Sequence, residues 1–255
     1  MGKKLARAEE LLRIIEKRGT VSIKTLAMLA NVSELTIRRD IRSMEEQNLV
    51  RNIRGTVFFN GQDLDDNYLL SVATTQHSKE KNAIGAYAAS LIKPGELVII
   101  DNGSTTEKLA AHIPPSMEAT VLCYNMNVLN NLYRKPKISL IFCGGYFHSQ
   151  TLMFECQESL EIIKRTRANK VFVSAAGVHE MLGVTCVSEY ELANKREIIK
   201  AGAERILLID SSKFGVITPC FVSEITSFEV IVTDRGIPPH WVDYVRDKGI
   251  KLVVV

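Results

Sequence analysis

The sequence predicts an α/β protein in two parts: a small N-terminal winged helix-turn-helix and a larger, doubly wound α/β domain with a mostly parallel sheet. In the first sixty residues, apolar side chains recur at helical spacing and a short turn separates two of the helices. From residue 79 onward, short apolar strands alternate with helices, as in a doubly wound sheet. A polar, turn-rich segment lies between the two patterns, so we expect domains at 1–59 and 79–255 joined by a linker at 60–78.

The composition is that of a globular chain with one basic end. Apolar residues make up 46% of the 255 residues and charged residues 24%, and no apolar run approaches the ~20 residues that a membrane span needs. The first sixty residues hold 12 basic and 7 acidic side chains, against 20 and 22 in the remainder. A positive module on a near-neutral body is typical of nucleic-acid binding.

Neither the N-terminus nor the cysteines indicate export or a metal site. Residues 1–7 have no apolar stretch after their charges, so we expect no signal peptide. The five cysteines are odd in number and include no C-x-x-C pair, which argues against a disulfide framework and against zinc. We therefore expect a cytoplasmic protein without a metal or a cofactor.

Three helices and a wing account for the N-terminal part. The predicted elements before the recognition helix are a helix at 6–18, an extended segment at 20–22 and a second helix at 23–30. Ser33 then follows a tight turn as the natural N-cap of a third helix, in which Ile37, Ile41 and Met44 share the buried face. Two short strands around a turn at 49–59 complete a wing.

The third helix is the second of the two helices that form the helix-turn-helix, and its outer face is basic. In such a motif this helix enters the major groove of DNA. Arg38, Arg39 and Arg42 lie on that face, and the wing would bring Arg51 and Arg54 to the phosphates. The alternative is a solvated basic helix with no role in DNA binding, which the agreement of turn, cap, basic face and wing disfavours.

Residues 32–41, V-S-E-L-T-I-R-R-D-I, resemble the recognition-helix signature V-S-x-x-T-I-R-R-D-L of the DeoR family of bacterial repressors. The resemblance implies that Ser33, Thr36, Arg38 and Arg39 face DNA. The wing departs from the family's R-x-H-G-G-A, since residues 51–56 read R-N-I-R-G-T. With the basic side chains above, the predicted DNA-binding residues are Ser33, Thr36, Arg38, Arg39, Arg42, Arg51 and Arg54.

The larger part alternates strands and helices. Strands are predicted at 97–100, 120–124, 138–143, 170–174, 205–209, 229–232 and 251–255, with helices at 79–92, from 105, at 126–133, 158–167 and 189–203, and near residue 241. Ligands of such sheets bind at the carboxyl ends of the strands. Polar side chains and glycines cluster at those ends.

The strongest site signal is the turn after the strand at 97–100. Gly103 lets the backbone approach a ligand closely, and Ser104, Thr105 and Thr106 supply hydroxyls at the start of a helix. Backbone N–H groups at a helix N-terminus bind anions, so the turn predicts a phosphate site. An ordinary Ser/Thr N-cap is the alternative, and the spacing matches neither the Walker loop nor G-x-G-x-x-G.

Other strand ends add weaker signals. Lys213 could neutralise a phosphate or be an ordinary surface charge, Asn125 could be a ligand or a turn residue, and the pair Gly144 and Gly145 could be a plain turn. His148 and His179 have no nucleophile paired with them in the sequence, and we expect them to be structural.

The larger part also resembles the DeoR-family sensor domain, whose fold is shared with ribose-phosphate isomerases and CoA transferases. The resemblance is carried by residues 80–81, D-x-G-S-T-T at 101–106, G-G at 144–145, A-G-V at 176–178, Glu189 and D-x-S-K-F at 210–214. It implies a homo-oligomer that binds double-stranded operator DNA and a phosphorylated sugar, with a pentose phosphate such as deoxyribose 5-phosphate as the effector. The predicted ligand-binding residues are Asp101, Gly103, Ser104, Thr105, Thr106, Asn125, Gly144, Gly145, Gly177, Glu189, Asp210 and Lys213.

An isomerase with a DNA-binding appendage is the alternative function. Aldose–ketose isomerisation needs a carboxylate base, and the isomerases carry an acidic G-A-D-E segment after a middle strand. The matching residues 175–178 read A-A-G-V and hold no carboxylate. We therefore expect no enzyme but a repressor that the sugar phosphate releases from its operator.

Overall fold

A computed structural model describes residues 7–8, 10–15, 20–45, 50–53, 55–59 and 69–255. The chain divides into two compact units, Met1–Asn67 and Tyr68–Val255. Residues 60–68 of the predicted linker lie outside the described residues, as do Arg54 and the side chain of Arg51. Within the described part of the chain, no helix is long and apolar enough to cross a membrane.

The N-terminal unit is a winged helix-turn-helix, as predicted. Residues 7–8 and 10–15 are helical, and the elements that follow are β1 (Thr20–Ser22), α1 (Ile23–Leu29), α2 (Glu34–Glu45), β2 (Val50–Ile53) and β3 (Thr56–Phe59). The three strands form an antiparallel sheet in the order β1–β3–β2. Ser33 Oγ accepts the N–H of Thr36 at 3.3 Å and caps α2, while Ile37, Ile41 and Met44 are buried. The predicted end of the first helix at residue 18 lies outside the described residues.

The larger unit contains seven helices and twelve strands within residues 69–255. The helices are α3 (Leu70–Thr75), α4 (Ser78–Ser90), α5 (Ser104–His112), α6 (Met126–Leu132), α7 (Gln157–Arg165), α8 (Leu192–Ala201) and α9 (Pro239–Asp247). The strands are β4 (Leu97–Ile100), β5 (Ala119–Cys123), β6 (Ile138–Phe142), β7 (Tyr146–His148), β8 (Met153–Glu155), β9 (Ala168–Ser174), β10 (Gly177–His179), β11 (Gly183–Cys186), β12 (Gly202–Leu208), β13 (Cys220–Ser223), β14 (Val230–Thr233) and β15 (Lys251–Val254).

Seven of these strands form one parallel sheet in the order β15–β14–β12–β9–β4–β5–β6. From β4 the chain moves outward through β5 and β6, then returns to the other side of β4 as β9 and continues to β12, β14 and β15. The strand order therefore reverses between β4 and β9, and a doubly wound sheet opens a crevice at such a point. The sheet is buried on both faces: Val98 and Ile100 pack on one side of β4 and Ile99 on the other, which explains the continuous apolar run.

Three sequence predictions differ from the structure. The predicted linker at 60–78 extends into the larger unit, which begins at Tyr68 and contains α3 (Leu70–Thr75), because a six-residue helix is too short to show a helical period. The helix predicted at 189–203 is wrong at both ends, because residues 189–191 form a 3-10 turn and β12 begins at Gly202. The short antiparallel strands β7, β8, β10, β11 and β13 were not predicted. At three or four residues each, they are too short to show the alternation that identifies a strand.

Candidate functional site

The basic face predicted on α2 is exposed in the structure. Arg38, Arg39 and Arg42 are exposed and Thr36 is half-buried. Arg38 Nη2 lies 3.9 Å from Glu34 Oε2, and both side chains are about half exposed, so this ion pair holds the arginine only weakly. The cations are therefore accessible to phosphates and base edges.

In the larger unit, a cavity lies where β4 and β9 end, at the reversal of the strand order. The turn after β4, the residues after β9 and β11, and one side of α8 form its walls. Its lining residues are Ala73, Asn102, Gly103, Ser104, Thr105, Ser174, Ala175, Ala176, Cys186, Val187, Glu191, Lys195 and Lys213. Four of the predicted ligand residues, Gly103, Ser104, Thr105 and Lys213, are thus brought together.

The N-terminus of α5 forms one wall of the cavity. The first N–H groups of a helix have no partner within it and carry partial positive charge. Gly103 precedes the helix at φ +153°, a backbone conformation that favours glycine. A Cβ at Gly103 would lie 2.6 Å from the Cβ and Oγ of Ser174, so only glycine lets the turn lie this close to β9. Thr106 is fully buried and does not line the cavity, and its hydroxyl donates to the carbonyl of Gly103 at 3.0 Å.

Asp101 lies behind this wall with no exposed surface. Its Oδ1 accepts the backbone N–H of Asn102 at 2.8 Å and the hydroxyl of Tyr124. Its Oδ2 accepts the N–H of Ser174 at 3.0 Å and the ammonium of Lys195 at 2.6 Å. Burial and the charge of Asp101 raise the pKa of Tyr124 far above its ordinary value, so the phenol stays protonated and donates. Both Asp101 oxygens are fully engaged, and the carboxylate acts by anchoring the turn.

Lys195 joins Asp101 to a second carboxylate. Its Nζ lies 3.6 Å from Glu191 Oε2 and donates to the carbonyl of Ser174 at 3.0 Å. Burial alone would lower the pKa of Lys195, but the charges of Asp101 and Glu191 outweigh it, and the pKa lies above its ordinary value. Glu191 also accepts Asn102 Nδ2 at 2.9 Å and the N–H of Ser188 at 3.2 Å. The network fixes the side chains that form the floor of the cavity.

A second buried pair lies beside Lys213. Lys81 Nζ is 3.8 Å from Asp210 Oδ2, with each side chain 1% exposed, and it donates to the carbonyl of Ala73 at 2.7 Å. Burial lowers the pKa of Lys81, Asp210 opposes this, and the neighbouring charge of Lys213 lowers it further. Two cations that repel each other next to a helix N-terminus make this end of the cavity attractive to an anion.

The other predicted ligand residues lie outside the lining. Asn125 caps α6 by accepting the N–H of Val128 at 3.1 Å. A Cβ at Gly145 would lie 2.4 Å from the carbonyl of Glu155, and one at Gly177 2.4 Å from that of Val216, so these glycines permit a close approach of two backbone segments. For the remaining three, the carbonyl of Gly144 accepts Ser159 Oγ, Asp210 accepts the N–H of Ser212, and Glu189 is exposed.

Sequence reasoning assigned no role to Glu191 and Lys195, although a signal was present. Residues 188–191 read S-E-Y-E, the capping-box pattern, and the structure forms that box. Lys195 follows Glu191 by four residues, the spacing of a helical ion pair. Their burial beneath the cavity has no signal of this kind, because it depends on Asp101, 94 residues from Lys195.

Two family descriptions match the chain: a DeoR-like helix-turn-helix domain over residues 7–63 and a DeoR C terminal sensor domain over residues 76–235. The deoxyribose operon repressor of Escherichia coli (strain K12) is 29% identical, covering 97% of this chain and 97% of its own. The HTH-type transcriptional regulator IolR of Bacillus subtilis (strain 168) is also 29% identical, covering 97% and 98%. Among solved structures, ribose 5 phosphate isomerase A from Neisseria gonorrhoeae aligns with 54% of this chain and 53% of its own, at 13% identity and a TM-score of 0.38.

Proposed function

Because the chain belongs to the DeoR family, with that family's helix-turn-helix and sensor domains, we propose that it is a cytoplasmic transcriptional repressor of a sugar catabolic operon, released from its operator by a phosphorylated sugar. The observation that carries the sensor half of the proposal is the cavity at the β4–β9 reversal. It combines a helix N-terminus, the glycine turn at Gly103 and the ammonium of Lys213.

In this proposal the phosphate group binds at the N-terminus of α5, where the first N–H groups and the hydroxyls of Ser104 and Thr105 donate to it. Lys213 supplies a full positive charge, and Lys81 adds to the local potential from behind. The sugar then extends toward Asn102, Glu191 and Lys195 on the cavity floor. A phosphate dianion placed here relieves the repulsion between the two lysines, so the charges of the site favour an anionic ligand.

The proposal includes binding without turnover. A carboxylate base must have a free lone pair facing the substrate. Glu191 accepts hydrogen bonds from Ser188 and Asn102 and lies 3.6 Å from the ammonium of Lys195, and Asp101 accepts four hydrogen bonds. Because these carboxylate oxygens already accept hydrogen bonds from the protein, they are poorly placed to remove a proton from a sugar carbon. Residues 175–178 contain no further carboxylate.

The switch needs two states that the ligand and the DNA favour differently. Two or more recognition helices, carried by a homo-oligomer, match repeated half-sites in the DNA-binding state. A sugar phosphate shifts the equilibrium only by its difference in affinity for the two states. By linkage, operator DNA weakens effector binding by the same factor.

The test measures binding of the full-length chain to its own promoter region by fluorescence anisotropy, with a panel of phosphorylated sugars that includes deoxyribose 5-phosphate. That sugar is in the panel because of the name of the Escherichia coli relative. We expect salt-sensitive binding that one sugar phosphate releases, and no isomerase turnover with the same panel. Turnover without DNA binding would overturn the proposal.

Lys213→Ala separates the sensor from the DNA-binding unit. We expect this variant to bind the operator as the wild type does and to be released only at much higher effector concentrations. Lys93→Ala is the matched control, because Lys93 is exposed and precedes the amino-terminal end of β4, whereas the cavity lies at the carboxyl end of that strand. Equal loss of release in both variants would mean that the cavity is not the effector site.

A further inference from the structure

Leu35 is the most exposed large apolar side chain in the described part of the chain, with 78% of its surface accessible. A single exposed leucine is ordinary on a protein surface, so its place in the fold decides whether it has a role. Leu35 lies in the first turn of α2, directly after the Ser33 cap. This is the part of a recognition helix that reaches the base edges.

The direction of Leu35 follows from the helix period. Ile37, Ile41 and Met44 define the buried face of α2. At about 100° per residue, Leu35 lies on the opposite side, in one stripe with Arg39 and Arg42, at positions i, i+4 and i+7. Leu35 is thus an apolar group at the leading end of a basic stripe that points straight away from the core.

The major groove offers an apolar group to such a side chain. Each base pair presents hydrogen-bond donors and acceptors there, and thymine adds its C5-methyl group. Leucine has no donor or acceptor, so it gives no partner to the groove-facing N–H of a cytosine N4 amino group, but it can pack on a thymine methyl. Arg39, about 6 Å further along the helix, can donate to guanine. The surrounding positive charge favours DNA over an apolar protein surface as the occupant of this stripe.

We propose that Leu35 reads a thymine methyl group in each operator half-site and so determines the base preference at that position. This inference rests on the proposed DNA-binding function. It adds Leu35 to the predicted DNA-binding residues. Because the contact of Leu35 is apolar, it affects the sequence preference and takes no part in the salt-dependent attraction to phosphates.

The experiment first selects duplexes from a random pool with the full-length wild-type protein. In the selected site, each thymine is then replaced in turn by uracil, which removes only the C5-methyl group. Anisotropy titrations compare wild type, Leu35→Ala and the control Met28→Ala. Met28 is 74% exposed on α1, so its truncation removes a comparable exposed apolar side chain from the same unit.

At one thymine position, replacement by uracil should weaken binding of the wild-type protein about fourfold per half-site. This is the effect of losing one buried methyl group. Leu35→Ala should bind the two duplexes equally, since its side chain lacks the three carbons that would reach the methyl group, and Met28→Ala should keep the fourfold difference. The proposal would be overturned if the wild type bound every uracil duplex as tightly as the thymine duplex, or if Leu35→Ala kept the fourfold difference. Either result would leave the proposed DNA-binding function standing. A selection that enriches no duplex would refute the DNA-binding function and this proposal with it.

Discussion

Replacing Lys195 by methionine tests whether the charge network beneath the cavity holds the larger unit together. Lys195 Nζ lies 2.6 Å from Asp101 Oδ2 and 3.6 Å from Glu191 Oε2, and its side chain is 2% exposed. Methionine fills similar space without a charge, so the variant keeps two carboxylates buried without their cation. Removing one partner of a buried ion pair costs about 3–5 kcal/mol. We expect the free energy of unfolding of the larger unit to fall by that amount.

The chain provides both a probe and a matched control for this measurement. Trp241 is the only tryptophan and is 2% exposed within the larger unit, so its fluorescence during urea denaturation reports on that unit. Lys200→Met is the same substitution in the same helix, α8. Lys200 Nζ lies 2.6 Å from Glu197 Oε1, but its side chain is 68% exposed. A surface pair contributes about 0–1 kcal/mol, so the control should remain close to wild type.

The pH dependence separates lost charge pairing from lost packing. In Lys195→Met, a proton taken up by one buried carboxylate removes the uncompensated negative charge. The folded state then binds more protons than the unfolded chain, and stability relative to wild type rises as the pH falls. We expect the gap to wild type to narrow from pH 7 to pH 5, with no such change for Lys200→Met. A loss below about 1 kcal/mol at pH 7, or a gap that is the same at pH 5, would refute the reasoning.

Three further substitutions test the turn at Gly103, the Glu96–Lys170 ion pair near the start of β4 and β9, and the recognition helix. Gly103→Ala should lower the free energy of unfolding by about 2–6 kcal/mol, measured by the same fluorescence titration, because it adds backbone strain to a 2.6 Å clash with Ser174; a neutral result would contradict the close approach. Burial raises the pKa of Glu96, but hydrogen bonds from Lys170 and a backbone N–H outweigh it and leave the pKa below its ordinary value. The Glu96–Lys170 pair therefore stabilises the fold at a pH above the ordinary carboxyl pKa of about 4.3, and this stabilisation is lost as the pH falls through the lower pKa of the folded state. Between pH 5 and pH 3, urea titrations should show a larger decrease in the free energy of unfolding for wild type than for Glu96→Gln. Arg39→Ala should weaken operator binding by about 1–3 kcal/mol in anisotropy titrations and leave sugar-phosphate affinity of the free protein unchanged; a changed effector affinity would point to misfolding.

Local sequence features predicted the helix-turn-helix, the wing and the strands of the parallel sheet. Each of these depends on neighbours within a few residues: Ser33 caps the helix it precedes, and Ile37 and Ile41 face the core because a helix repeats every 3.6 residues. The turn at Gly103 was predicted for the same reason, since a strand, a short polar turn with a glycine and three hydroxyl residues lie within ten consecutive residues.

Tertiary structure alone decided which charges meet at the cavity. The sequence places Asp101 and Lys195 in different supersecondary units, and Lys81 is far from Asp210 along the chain. They meet because β9 returns beside β4 and brings the end of one strand, the start of α5 and the inner side of α8 to a single point. A local pattern could suggest the Glu191–Lys195 pair, but its burial follows from strand order. The sequence by itself therefore determined the helix-turn-helix, the strands of the parallel sheet and the glycine turn after β4, whereas the packing of the sheet determined the buried ion network that holds the turn in place.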